Sequence, residues 1–108
     1  MRRTPLILAI ALATITAPQA HARTTQEFFD LCGNDEEACG KRIDEVRAAA
    51  EKAGAKFCPP STMDREGYIF EITYWIGETG VDVNQDDAKS ITAALKALYS
   101  CKPQGSKP

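Results

Sequence analysis

The chain carries a single histidine, His21, and it sits in an N-terminal stretch expected to be removed. Without it, the remaining protein cannot assemble a Ser-His-Asp or Cys-His pair, a histidine acid/base or a His-containing zinc site. No two cysteines are spaced Cys-x-x-Cys, so the compact redox or zinc motif is missing too. No cofactor and no metal are expected. A basic block is also lacking, which argues against nucleic acid and against an anionic membrane surface, since both rest on clustered Lys and Arg. No apolar run is long enough to cross a bilayer. The longest, Leu6 to Ala17, has 12 residues, against the roughly 20 that hydrocarbon requires. Internal repeats and low-complexity tracts are absent, which excludes solenoids and flexible linkers.

What is present begins with a secretory leader. Arg2 and Arg3 precede the apolar stretch, and Ala20-His21-Ala22 is the small-x-small pattern accepted by a signal peptidase before Arg23. No cysteine sits immediately after that point, which argues against a lipoprotein. Residues 1–22 therefore read as a cleaved signal peptide, 23–102 as one domain and 103–108 as a loose tail. The mature form is expected to be free of the membrane, in an oxidising compartment where paired cysteines persist. Removing Arg2 and Arg3 leaves 11 Lys and Arg against 15 Asp and Glu, a net charge of −4. Such a charge permits a basic partner without identifying one. A chain of this size buries only about 60–65% of its unfolded surface, so cross-links should matter to its stability.

The mature chain divides into four helical segments. The first, Thr24 to Leu31, opens with Thr24 and Glu27 at capping-box spacing. In the second, Asn34 and Glu37 offer a cap, and Cys39, Ile43, Val46, Ala50 and Ala53 form one apolar stripe. Lys41, Arg42, Glu45, Arg47, Glu51 and Lys52 fall on its wetter faces. The third segment, Tyr68 to Ile76, is strand-like by local propensity, because aromatic and β-branched residues alternate along it. A lone strand would leave its ladder groups without partners, however, and no second convincing strand exists. A helix starting near Asp64 and ending before Gly77 is therefore expected, with Ile69, Ile72 and Ile76 on one face and Trp75 substantially buried in the domain or at a subunit contact. The fourth segment starts at Asn84-Gln-Asp-Asp87 and carries Ala88, Ile91, Leu95 and Leu98 as its stripe. The fold class is all-α: a small four-helix domain stapled by two disulfides.

Four cysteines admit three connectivities. In an up-down arrangement, Cys32 and Cys39 fall at one end of the bundle and Cys58 and Cys101 at the other. That topology favours Cys32–Cys39 and Cys58–Cys101.

The frame LCGNDEEACGKRI, the mid-chain Phe57-Cys58-Pro59-Pro60 and the closing ITAALKALYSC resemble the Rap/Tai immunity family of bacterial type VI secretion. The resemblance covers essentially the mature domain. It departs from the family's pattern at Arg42-Ile43, Glu45 and Thr79-Gly80. Characterised members are small helical periplasmic proteins, commonly homodimers, that neutralise peptidoglycan-cleaving amidase effectors by binding them. The resemblance thus implies a periplasmic immunity protein whose partner is a cognate cell-wall hydrolase effector, with a homodimer as its own assembly and no chemistry of its own. A small periplasmic acid-stress chaperone is the alternative.

Candidate partner contacts lie in the connector from Gly77 to Asn84. Glu78 and Asp82 can meet donors or basic groups there, and Val81 and Val83 add apolar area if exposed. The competing expectation is that this connector merely reverses the chain with its valines tucked inward. An enzyme would need a carboxylate pair such as Glu71 and Glu78 or Asp44 and Glu51, but those spacings equally describe an ordinary wet helix face. No enzymatic activity is expected.

Overall fold

The computed structural model describes residues 23–101. The expected leader, residues 1–22, and the tail, 103–108, lie outside the described residues. Four helices follow one another: α1 (Thr25–Asn34), α2 (Glu36–Lys52), α3 (Arg65–Thr79) and α4 (Asp87–Tyr99). The domain is all-α, and its disulfides are Cys32–Cys39 and Cys58–Cys101. Both α2 and α4 contact all three other helices.

Local chemistry sets most helix ends. At α1 the capping box forms in full: Glu27 N–H donates to the Thr24 hydroxyl at 3.1 Å, and Thr24 N–H donates to the Glu27 carboxylate at 2.9 Å. Asn34 does not cap α2. It is the last residue of α1, where its amide donates to the Asp30 carbonyl at 2.8 Å. Asp35 takes the capping role and accepts from Ala38 N–H at 3.1 Å. A helix break one residue long suits an extended aspartate, whose carboxylate meets the orphan donors that a further helical residue would leave unpaired.

The strand-like segment is helical, with Asp64 as its cap. It continues through Gly77 to Thr79, three residues past the expected end. Burial of Ile76 in the core outweighs the roughly 1 kcal/mol cost of an internal glycine. Termination falls on Gly80, whose left-handed backbone (φ 71°, ψ 33°) suits a residue without Cβ. The α4 N-cap is Asp86 and not Asn84, whose backbone N–H instead donates to the Asp82 carboxylate in the connector.

The core joins Phe28 of α1, Cys39, Ile43 and Val46 of α2, Ile69, Ile72 and Ile76 of α3, and Ile91, Ala94, Leu95 and Tyr99 of α4. The expected stripes are thus buried through their central positions. Ala50 is only half-buried and Ala53, the C-cap of α2, is exposed. Trp75 packs against the core edge with only a minor part of its surface exposed. Gly40 brings α2 close to α3, since a Cβ there would lie 2.7 Å from Arg65 Nη2 and 3.0 Å from Ile69 Cδ1.

Two short clamps tie distant segments to α4. Residues 23–26 run antiparallel to 83–87: Thr25 N–H donates to the Gln85 carbonyl (2.9 Å), Gln26 N–H to Val83 (3.0 Å) and Asp87 N–H to Arg23 (2.7 Å). At the other end Phe57 bridges Ser100, and Cys58 N–H donates to the Tyr99 carbonyl at 2.6 Å beside the Cys58–Cys101 bond.

Candidate functional site

The connector after α3 and the polar groups that hold it define one end of the molecule. Glu78 belongs to the last turn of α3 rather than to a loop, and it is exposed. Asp82 is exposed and spends one carboxylate oxygen on Asn84 N–H at 2.9 Å. Val81 packs partly against the core, while Val83 is exposed and its carbonyl accepts from Gln26. The fold brings the four predicted contact residues into one neighbourhood, with one valine turned inward and one outward. Neither Glu78 nor Asp82 forms an ion pair among the described residues.

Beneath the connector lies a buried polar network. The hydroxyls of Thr25 and Ser90 meet at 2.7 Å. Thr25 Oγ1 also donates to the Gln85 carbonyl at 3.0 Å, and the Gln85 amide donates to Ser90 Oγ at 2.8 Å. Thr25 and Ser90 are completely buried, so this satisfaction is what makes their burial affordable in free energy. The network fixes the path of residues 83–87 against α1 and so orients whatever the connector presents.

Asp87 departs most from expectation. It sits in the first turn of α4, where a solvated acid is ordinary, yet it is completely buried. Arg42 closes over it as a fork, with Nε at 2.8 Å from Oδ2 and Nη2 at 2.7 Å from Oδ1. Arg42 is therefore no member of a wet face. Its hydrogen bonds to Asp87 hold its guanidinium more firmly protonated than usual, with a smaller contribution from Glu45. Sequence inspection missed the pair because its members are 45 residues apart. Their only local signal is an arginine adjoining Ile43 on the apolar stripe of α2.

Of the carboxylates considered for catalysis, Asp44, Glu51 and Glu71 are engaged separately, while Glu78 forms no ion pair among the described residues. Asp44 accepts both ends of Arg65 (3.1 and 2.8 Å), and Glu51 accepts from Arg47 at 3.0 Å. Glu71 accepts from the Tyr99 hydroxyl at 2.8 Å. Burial first, and then this hydrogen bond to a carboxylate, push the Tyr99 phenol well above its usual value. Two open clefts mark the surface, and the second of them includes Asp44. One, of about 580 Å³, lies between α2 and α4 over an alanine floor that includes Ala49, Ala53 and Ala88. The other, of about 300 Å³, lies beside Pro59-Pro60 among Asp44, Arg65 and Tyr68. Among the described residues, no group of three or more His, Cys, Asp or Glu side chains could hold a metal ion, and no helix is long and apolar enough to cross a membrane.

No family model, curated protein or solved structure matches this chain.

Proposed function

We propose that the protein is a periplasmic immunity protein that binds and occludes a peptidoglycan amidase effector delivered by type VI secretion. The observation that carries this reading is the α3–α4 connector. Glu78 and Asp82 stand exposed and free of ion pairs beside exposed Val83, on a backbone anchored by the buried Thr25–Gln85–Ser90 network. A rigid acidic projection of this kind suits insertion into the groove of a hydrolase, because little side-chain or loop ordering remains to be lost on binding. Support also comes from the cysteine frame that resembles the Rap/Tai family, and from two disulfides of the sort that persist in an oxidising compartment.

The test is inhibition of the peptidoglycan amidase encoded beside this chain, at neutral pH, by wild type and by the Glu78→Lys/Asp82→Lys variant. Inhibition by wild type, weakened in the variant without loss of helicity or melting temperature, is the expected result. Full inhibition by the variant would move the contact elsewhere. Absence of inhibition together with suppression of client aggregation at about pH 2–3, where carboxylates are protonated, would instead assign the acid-stress chaperone reading.

A further inference from the structure

The outer face of α3 carries an aromatic pair that the fold does not use. Phe70 is 62% exposed and Tyr74 57% exposed, the two largest values among the exposed large hydrophobic side chains of the described residues. Their spacing of four places them on one line along the helix, directly opposite the buried Ile72 side, and the rings stack with centroids 5.5 Å apart. Gly77 continues that line one turn on, and nothing stands within 4 Å of the position its Cβ would occupy. A neighbour can therefore approach the backbone there closely. Each ring is amphipathic or apolar, stiff at two torsions and pre-stacked, which is the character of a binding anchor.

Charge says what covers this face. Glu66 lies one turn before Phe70 and Glu78 one turn after Tyr74, both exposed and both without an ion pair among the described residues. The only basic residue of α3, Arg65, is turned away and held by Asp44. An apolar centre is thus bracketed at both ends by carboxylates. A second copy of this chain fits poorly. Antiparallel two-fold pairing centred on the aromatics sets Glu66 against Glu78 at both ends, and parallel pairing sets each glutamate against itself. Like charges would meet either way, whereas a surface with apolar pockets flanked by Lys or Arg would satisfy both features. The two rings expose about 250 Å² together, far below the roughly 800 Å² that one partner contributes to a standard interface. They act as anchors within a wider contact that continues through Glu78 onto the connector.

We infer that the Phe70–Tyr74 face of α3 is the principal docking surface for a basic-rimmed partner protein; under the immunity reading, on which this assignment rests, that partner is the amidase. The experiment measures affinity of the co-encoded amidase by calorimetry for wild type, Phe70→Ser/Tyr74→Ser and Glu66→Lys, alongside sedimentation velocity of each protein alone. Both aromatic positions are exposed, so melting and helicity should stay unchanged. The serine variant should lose at least about 100-fold in affinity. Glu66→Lys should lose about 10-fold at low salt and approach wild type near 0.5 M salt, where screening removes the attraction. Undiminished binding by the serine variant overturns this surface and leaves the connector as the contact. No binding by wild type at about 10 μM, where a specific interface should be populated, overturns the immunity reading and this assignment with it. A wild-type dimer that the serine variant abolishes overturns it in favour of a second copy.

Discussion

Asp87→Ala is the most telling single perturbation of the fold. The carboxylate it removes is completely buried and takes two short hydrogen bonds from Arg42, whose side chain is 22% exposed and whose Nη1 also reaches Glu45 at 3.2 Å. Removing one partner of a buried pair costs about 3–5 kcal/mol, chiefly because the survivor is left charged and unpaired. After Asp87→Ala the survivor is a guanidinium that keeps some water and Glu45, so the loss should fall near 3 kcal/mol. After Arg42→Ala the survivor is a carboxylate with no solvent contact in the native packing, and the loss should approach 5 kcal/mol. Against a total of about 4–12 kcal/mol for a domain of this size, either change removes a large share of stability. Arg42→Met combined with Asp87→Leu should cost less than either alanine change, because it removes both charges together. Urea unfolding with the disulfides intact, followed by Trp75 fluorescence, measures all three. A loss below about 0.5 kcal/mol for Asp87→Ala would mean that the pair behaves as a solvated surface bridge, and would refute the argument from burial.

Gly40→Ala should leave stability nearly unchanged, because about 1 kcal/mol of overpacking, where the new methyl meets the movable end of Arg65, offsets the roughly 1 kcal/mol that alanine gains over glycine inside a helix; a melting curve for the variant checks this, and a gain of about 1 kcal/mol would deny the close approach. Limiting thiol reductant should open Cys58–Cys101, exposed at both ends, before Cys32–Cys39, whose Cys39 is fully buried; alkylation and peptide mapping report the order. Loss of the first bond should cost about 4 kcal/mol and of the second about 2.5 kcal/mol if chain entropy governs, as the longer loop is the larger constraint. The raised Tyr99 phenol favours the protonated form in the folded state, so its contribution is complete below about pH 10 and fades as pH rises through the folded value. Melting temperatures taken across that alkaline range should fall less steeply for Tyr99→Phe than for wild type.

Periodicity along α2 and α4 is enough to place those helices, since Ile43, Val46, Ile91 and Leu95 are all buried as their spacing requires. Along α3 the need of the backbone for partners overrides the strand propensity of the residues, and the helix shows why that propensity misleads. It needs isoleucines on its inner side and also carries aromatics on its outer side, so apolar residues occur at nearly every step. The cysteine pairing followed from which helix ends lie together. Arg42–Asp87 was illegible because no local pattern marks an acid in a first helical turn as buried. That is decided by residues 23–26 lying across the start of α4, an arrangement with no signature in either segment. The shift of the cap from Asn34 to Asp35 is a choice between two adjacent residues of similar propensity, made by the extended aspartate whose carboxylate accepts from Ala38 N–H.

The clamps at both ends of α4 bear on the order in which the domain can be made. Synthesis delivers α1, α2 and α3 first, yet Thr25 waits for Gln85, sixty residues later, and Cys58 waits for Cys101. Ile91, Leu95 and Tyr99, which complete the core, arrive in the same final helix. Contacts of such long range cannot form until both partners have emerged, so the core cannot close before α4 arrives. By the same reasoning, a stop codon before α4 yields no smaller version of this domain: it removes the closing element on which the first three helices depend.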